Sequence, residues 1–367
     1  MEKIKLGDVC TINSNSYSEA NDNWEFVNYL DTGNITQNAM AKIQQINLES
    51  ENLPSRAKRK VNFNSIIYST VRPIQKHFGI IKNQPPNFLV STGFTVIDVN
   101  PAKVDANFLY YWLSRDEITD FLQSIAEQST TAYPSIKSSD IENLEVELPP
   151  LATQKQIGAF LYSLDEKISL NKKINATLEE MARTIYLHKF FRKAANGKLG
   201  DLILENPTST ISVGDAKNCG GEFPFFTSGE NILHWKEKLV DGRNIFLNDG
   251  GNAGIKFYVG SASYSTHTWS ITADGVADYL YLLLDNIKAE IDKRFFTGTG
   301  LKNLRKDLLR ERAIYIPSAS ELEEFNRAVE PCFSLLSKNL RENYQLAKVR
   351  DFLLPLLMNG QAELKEE

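Results

Sequence analysis

Two segments of about forty residues carry the same apolar pattern, and this duplication restricts the possible folds more than any other feature. In the first segment, which runs from Leu151 to about Phe191, apolar residues recur at alternating steps of four and three: Ile157, Leu161, Leu164, Ile168, Leu178, Ala182 and Ile185. The second segment runs from Ser320 to about Asn359. Its seam repeats the first with every position shifted by 168, at Phe325, Val329, Cys332, Leu336, Leu346, Arg350 and Leu353, and it continues to Leu357. Such steps are typical of a heptad repeat, so the chain contains two matching long helices.

The same two polar residues interrupt both seams. Asn171 and Asn175 occupy seam positions in the first segment, and Asn339 and Asn343 occupy the equivalent positions in the second. A narrow apolar stripe on an otherwise charged helix has to be covered, so we expect the two helices to pair. The alternative is that Asn171 and Asn175 mark a solvated turn between two shorter helices.

Connectivity favours an antiparallel pair. The second block begins within a few residues of the end of the first helix, so the second helix has to start from that far end and run back. Asn171 would then face Asn343, and Asn175 would face Asn339. Such pairs fix the register of a coiled coil at some cost in stability.

The regions that precede the two helices also match, in the same order. Each begins with the tetrapeptide KLGD, at residues 5–8 and 198–201, and each ends in a strand followed by proline, "LEVELPP" and "RAIYIPS". Between these ends come "YLDTGNI" or "FFTSGENI", then "NSIIYS" or "RNIFLN", then "NFLYYWL" or "DYLYLLL". We expect each KLGD glycine to allow a turn and each aspartate to accept a backbone N–H.

Period-two strands and turn residues in both blocks predict an α+β fold. We expect two domains of mixed strands and short helices, separated by two long antiparallel helices that form a coiled-coil spacer with pseudo-twofold symmetry. The predicted divisions are an N-terminal domain at 1–150, a long helix at 151–193, a C-terminal domain at 194–318, a second long helix at 319–361 and a tail at 362–367.

Composition excludes some classes of protein and leaves the binding partner open. Hydrophobic residues make up 42% of the 367 residues and charged residues 24%, as in an ordinary globular protein. No apolar run is long enough for a membrane helix and the first residues lack a signal-peptide core, so we expect a cytoplasmic protein. The net charge of −5 leaves room for DNA binding through a local basic face.

Motifs for catalysis and for metal binding are missing from the sequence. The cysteines Cys10, Cys219 and Cys332 are far apart, and the four histidines are equally scattered, so a structural zinc site is not expected. The glycine cluster "DGGNAG" at 249–254 does not fit a strand-to-helix dinucleotide-binding motif. We therefore expect a non-enzymatic chain without a metal or cofactor of its own.

Basic and polar residues in the two domains form a candidate DNA-binding set. Cations can contact phosphates, and hydroxyl, amide and guanidinium groups can contact base edges. The alternative is a charged face that only meets solvent. The set consists of Arg56, Lys58, Arg59, Lys60, Ser69, Thr70, Arg72, Lys76 and His77 in the first domain, and of Asn248, Asn252, Lys256, Lys302 and Arg305 in the second.

This arrangement resembles the specificity (S) subunits of type I restriction–modification systems. The resemblance covers essentially the whole chain and rests on the duplicated KLGD, the "TGNI" and "SGENI" phrases, the "LPPL" helix entry and the asparagines at the centre of each helix. The second helix entry, "IPSASELEE", lacks the double proline, which weakens only the local match at that helix start.

The resemblance implies that the two domains are target recognition domains, each reading one half of a bipartite, asymmetric DNA sequence. It implies further that the coiled coil sets the spacing of the half-sites and binds two methyltransferase (M) subunits, with restriction/translocase (R) subunits added. S-adenosylmethionine, ATP and Mg²⁺ would belong to those partner subunits.

Other functions stay open at this point. A nearer alternative is the specificity subunit of a type II enzyme that cuts on both sides of its site. The remaining two are a self-contained methyltransferase or nuclease and a coiled-coil interaction protein without a role at DNA.

Overall fold

A computed structural model of the chain describes residues 3–129, 133–217, 219–298 and 302–364. The last residues of the predicted tail, 365–367, lie outside the described residues. The chain forms two compact units. The first unit comprises residues 1–166 and 346–367, and the second comprises residues 167–345. The division therefore falls inside both long helices.

The first unit is built from short strands with three helices before the first long helix. Its strands are β1 (Lys3–Lys5), β2 (Cys10–Ile12), β3 (Phe26–Leu30), β4 (Ile35–Thr36), β5 (Ala39–Met40), β6 (Gln44–Asn47), β7 (Ala57–Lys60), β8 (Ile66–Ser69), β9 (Phe78–Ile80), β10 (Phe88–Ser91), β11 (Phe94–Val99) and β12 (Glu145–Glu147). Its helices are α1 (Ala106–Leu113), α2 (Asp116–Glu127), α3 (Ser138–Glu142) and the start of α4 (Leu151–Phe190).

The second unit has a similar succession of elements. Its strands are β13 (Gly197–Lys198), β14 (Leu204–Glu205), β15 (Phe223–Phe226), β16 (Leu233–Trp235), β17 (Arg243–Asn248), β18 (Ile255–Val259), β19 (Ser263–Tyr264), β20 (Thr268–Thr272), β21 (Phe296–Thr297), β22 (Asn303–Leu304) and β23 (Ala313–Ile314). Its helices are α5 (Val213–Lys217), α6 (Ala277–Asn286), α7 (Lys288–Arg294), α8 (Lys306–Arg310) and most of α9 (Ala319–Met358).

Sheet topology confirms that the chain is an internal duplication. The antiparallel order β2-β11-β8-β9 of the first unit recurs as β14-β20-β17-β18 in the second. The order β6-β3-β10 recurs as β16-β15-β19, and in both cases the last two strands are parallel. The pair β1–β12 likewise recurs as β13–β23. The first unit adds β7 beside β10.

Both KLGD copies begin the same way. Residues Leu6–Asp8 and Leu199–Asp201 each form a 3-10 turn with the leucine fully buried. In the second copy Asp201 accepts the backbone N–H of Lys198 at 2.8 Å, as expected. No side-chain cap of this kind forms at the first copy.

The two long helices are each forty residues long and start differently. At the start of α4 the buried Gln154 donates from its side chain to the Pro149 carbonyl at 2.9 Å. At the start of α9 a side-chain cap takes the place of the missing double proline. There Glu321 accepts hydrogen bonds from the backbone N–H and the hydroxyl of Ser318, both at 2.8 Å.

The helix seam is antiparallel, and the asparagines pair as predicted. In the second unit Asn171 donates to the side-chain oxygen of Asn343 at 2.9 Å, and Asn339 donates to that of Asn175 at 2.8 Å. Both helices are continuous through these positions, which excludes a solvated turn.

On either side of the asparagines the seam is apolar and merges with the cores of the units. In the second unit Ala182 and Phe190 of α4 pack in one cluster with Phe325 and Val329 of α9. In the first unit a separate cluster holds Leu161 of α4 with Leu357 and Met358 of α9.

Substitution of Asn175 and Asn339 by alanine tests the polar layer through a double-mutant cycle. Each single change should lower the free energy of unfolding by about 1–3 kcal/mol, because it leaves the other amide of the pair without its partner. Asn175→Ala also removes the hydrogen bond to the Leu336 carbonyl. The double mutant should cost less than the sum, with a coupling energy of about 0.5–1.5 kcal/mol, measured by urea denaturation. Lys338→Ala, at the exposed neighbour of Asn339, is the control and should be additive with Asn175→Ala. If Asn175→Ala is additive with Asn339→Ala as well as with Lys338→Ala, the assigned contact between Asn175 and Asn339 is wrong.

Candidate nucleic-acid interface

The β8–β9 connection in the first unit and the β17–β18 connection in the second are topologically equivalent, and they hold many of the candidate residues. In the first unit Ser69, Thr70, Arg72, Lys76 and His77 lie at the end of β8 and in the connection. In the second unit, Asn248 ends β17, Asn252 lies in the connection, and Lys256 lies at the start of β18. Residues selected separately in two halves of the sequence thus fall on one repeated feature of the fold.

The first connection has an unusual backbone. Arg72 and Lys76 have left-handed conformations, with φ of 49° and 54°, on either side of a 3-10 turn at Pro73–Gln75. Large side chains rarely adopt this conformation, which persists where surrounding contacts impose it. Here the Arg72 N–H donates to the Pro134 carbonyl at 2.9 Å, and the Ile74 N–H donates to the Gln123 side chain at 3.1 Å. The turn is therefore held between α2 and the segment around Pro134.

The three basic side chains of this connection, Arg72, Lys76 and His77, have different partners. Lys76 pairs with Asp116 at 2.6 Å, and His77 places Nδ1 2.5 Å from the Ile35 carbonyl oxygen. Arg72 instead lies over the ring of Tyr133, with its guanidinium carbon 4.8 Å from the ring centroid. These contacts leave Arg72, Lys76 and His77 with different hydrogen-bonding groups to offer a ligand.

The basic run at residues 56–60 begins just before β7 and continues through it. Its side chains also differ in their exposure and in their partners. Arg56 and Lys58 are exposed, whereas Arg59 is half-buried. Lys60 forms an ion pair with Asp22 at 2.5 Å and lies 5.3 Å from the centre of the Trp24 ring. Arg56 and Lys58 are therefore the members of the run whose side chains are open to solvent.

Ser69 and Asn248 lie inside the fold, where contacts within the protein occupy their side chains, and DNA contact by either residue stays a prediction. Ser69 is 2% exposed and its hydroxyl donates to the Val71 carbonyl at 3.0 Å. Asn248 is 7% exposed and its amide donates to the carbonyls of Ser228 and Asn252, both at 3.0 Å. Both residues shape the connection that follows their strand. A polar residue at a strand end does not reveal from sequence alone which way its side chain points.

Some of the other polar side chains of these connections also form hydrogen bonds within their own domain. The Thr70 hydroxyl donates to the Gly93 carbonyl at 3.0 Å. Lys256 donates to the Thr227 carbonyl at 2.7 Å, and burial lowers the pKa of its amine. Asn252 is exposed, next to Gly251 with its left-handed φ of 85°.

A second segment is hydrogen-bonded to each connection. In the second unit this segment carries Lys302 and Arg305. In the second unit Gly251 donates to the Lys302 carbonyl at 2.8 Å, and Leu304 donates to that of Asp249 at 3.0 Å. In the first unit Ile136 donates in the same manner to the Thr70 carbonyl at 2.9 Å. Lys302 is exposed, whereas Arg305 pairs with Asp307 at 2.9 Å.

The supporting segments also hold a residue that the sequence interpretation missed, Tyr133 beside Arg72. Lys306, a further basic residue of the segment in the second unit, pairs with Asp249 at 2.9 Å. The available sequence signal for Tyr133 was an aromatic residue within a polar stretch of small residues.

Within the described ranges, no group of three or more histidine, cysteine or acidic side chains could hold a metal ion. No helix in the same ranges is both long and apolar enough to cross a membrane. The thiol of Cys10 is buried, and its burial raises the pKa to about 12.

Comparison with known proteins gives matches along the chain. A 158-residue stretch is 32% identical to the type I restriction enzyme HindI specificity subunit of Haemophilus influenzae, and the match covers 43% of this chain but only 34% of that protein. The type I restriction enzyme MjaIX specificity subunit of Methanocaldococcus jannaschii is 21% identical over 369 residues, covering 85% of this chain and 84% of the relative.

A solved structure and a family model complete the comparison. The type I restriction–modification S subunit from M. genitalium shares this fold, with a TM-score of 0.65 at 16% identity, over 100% of this chain and 96% of the other. The model of the type I restriction modification DNA specificity domain matches residues 1–180 and 193–332, one match for each half of the duplication. The chain therefore belongs to the family of type I restriction–modification DNA specificity proteins.

Proposed function

We propose that this chain is the non-catalytic specificity subunit of a type I restriction–modification complex, and that its two recognition domains read the two halves of a bipartite, asymmetric DNA sequence. Sequence-specific DNA recognition follows from the family. The observation that carries the bipartite reading is the repeated sheet order, which puts two equivalent connections, β8–β9 and β17–β18, in one chain.

The two connections display different chemistry, which supports an asymmetric target. The first holds Arg72, Lys76 and His77 around a proline-containing turn. The second is glycine-rich and displays Asn252, with Lys302 supplied by the neighbouring segment. Because base edges are read by specific donors and acceptors, different side chains at equivalent places select different half-sites.

The paired long helices support a fixed spacing between the half-sites. Forty helical residues extend roughly 60 Å at about 1.5 Å per residue. The asparagine pairs Asn171–Asn343 and Asn175–Asn339 set one register between the helices. With a single register, the same number of helical residues always separates the points at which the two recognition domains join the helices.

Partner subunits supply the chemistry in this proposal. Two methyltransferase subunits bind the helices, restriction/translocase subunits join them, and S-adenosylmethionine, ATP and Mg²⁺ are bound by those partners in the cytoplasm. Exposed apolar side chains on the helices support a protein-binding role. In the second unit Leu170 and Met181 of α4 are 52% and 50% exposed, and Leu335 of α9 is 42% exposed.

Exchange of one recognition domain tests the modular reading. Residues 1–150 are replaced by the equivalent domain of another family member, and DNA methylation is mapped in cells that also produce the methyltransferase subunits. One half of the methylated sequence should change, while the other half and the spacer are retained. The reciprocal exchange of residues 194–318 should change the opposite half. A change of both halves by either exchange would contradict independent recognition.

Alanine substitution of Arg56 and Lys58 tests the phosphate contacts assigned to β7. Each change should weaken binding to every DNA sequence alike and should reduce the slope of log K against log salt by about 0.9, the value for one phosphate contact. The measurement is fluorescence anisotropy with the assembled complex at several salt concentrations. Lys60→Gln is the matched control, because Asp22 already neutralises Lys60, and it should leave the slope nearly unchanged. Equal slopes for all three variants would refute the assignment.

A further inference from the structure

Arg72 combines three features that distinguish it from the other cations of the first unit. Its guanidinium lies over the Tyr133 ring at 4.8 Å, its backbone is left-handed, and Ile74, two residues away, is 52% exposed. Among the residues that the structure describes, the guanidinium has neither a hydrogen-bond acceptor nor an acidic partner. Its five N–H donors therefore remain available to a ligand.

The stacking contact prepares the guanidinium for a planar ligand. A guanidinium that lies on an aromatic face keeps its N–H groups at the edge of the plane, where they can donate in parallel. The hydrogen bonds of the turn to Pro134 and Gln123 hold the backbone that carries it. Less conformational entropy is lost on binding when both the side chain and the backbone are already ordered.

The surroundings of Arg72 favour a base edge over a phosphate. The Asp116 carboxylate compensates the positive charge of Lys76 in an ion pair, so the turn does not concentrate positive charge. Ile74 and Tyr133 are 52% and 59% exposed and give the guanidinium an apolar border. In the major groove, guanine offers two acceptors, O6 and N7, which fit the two parallel donors of an arginine.

We propose that Arg72 reads a guanine in the half-site of the first recognition domain by donating to its O6 and N7 atoms, and that Tyr133 is the positioning residue for this contact. The inference rests on the proposed function, because it assumes that this domain contacts DNA bases. It adds one specified base and one specified residue to that function.

The test uses the assembled complex of this chain with its methyltransferase subunits. The target is first selected from random duplex DNA, and each guanine of the first domain's half-site is then replaced by adenine or by 7-deazaguanine, which lacks only the N7 acceptor. For the unsubstituted protein, adenine at one position should weaken binding by about 5- to 150-fold, the range for loss of one bidentate base contact. At that same position 7-deazaguanine should also weaken binding.

Two substitutions of Arg72 separate its charge from its shape. Arg72→Lys keeps the charge without the fork of donors, and Arg72→Asn tolerates the left-handed backbone. Arg72→Asn should lose the preference for guanine over adenine at this position, whereas Arg72→Lys should keep a reduced preference, because its ammonium can still donate to O6 and N7 without the fixed fork. Arg56→Ala should weaken all binding but preserve the preference for guanine, since its assigned contact is with phosphate.

Substitutions of Tyr133 test its positioning role. Tyr133→Leu should lower the preference for guanine at that single position without changing the salt dependence of binding, and Tyr133→Phe should restore the preference because it keeps the ring. A half-site without guanine, or full guanine preference in Arg72→Asn, would overturn the inference while leaving the proposed function intact. A complex that selects no DNA sequence would overturn the proposed function itself.

Discussion

The hydrogen bonds between two pairs of asparagines are the interaction on which the rest of the architecture depends. Asn171 pairs with Asn343 and Asn175 with Asn339, inside a seam that is mostly apolar. A shift of one helix along the other would leave these amides facing apolar side chains, at a cost of about 1–3 kcal/mol for each buried group without a partner. The pairs therefore select one antiparallel register, and with it the apolar contacts on either side.

A fixed register leaves the recognition domains free to diverge. The sheet order is the same in both halves, and the cores are built on the same strands. The connections that follow β8 and β17 differ in length and charge, since loops tolerate changes that a packed strand does not. One framework can therefore present two unrelated sets of side chains to DNA.

The sequence predicted the framework well, because its evidence is periodic. The seam positions, the two asparagine pairs and the duplicated order of strands all follow from spacing along the chain. The individual roles of polar residues were harder to predict, since they depend on partners that are distant in sequence. Lys60 and Lys76 are neutralised by Asp22 and Asp116, and no local pattern announces those ion pairs. The burial of Ser69 and Asn248, and the ring of Tyr133 beside Arg72, likewise become visible only after folding.

Deletion of one matched heptad from both helices tests most directly whether their register sets the spacing of the DNA target. Removal of residues 166–172 and 342–348 takes out both members of the Asn171–Asn343 pair. It preserves the Asn175–Asn339 pair and the ion pair of Asp165 with Arg350. Deletion of residues 166–172 alone is the control, and it should prevent assembly because the seams no longer match.

The methylated target of the matched deletion should keep both half-sites, with a spacer shortened by at most about three base pairs, since seven residues account for roughly 10 Å of helix. An assembled variant that still requires the original spacer would contradict the account.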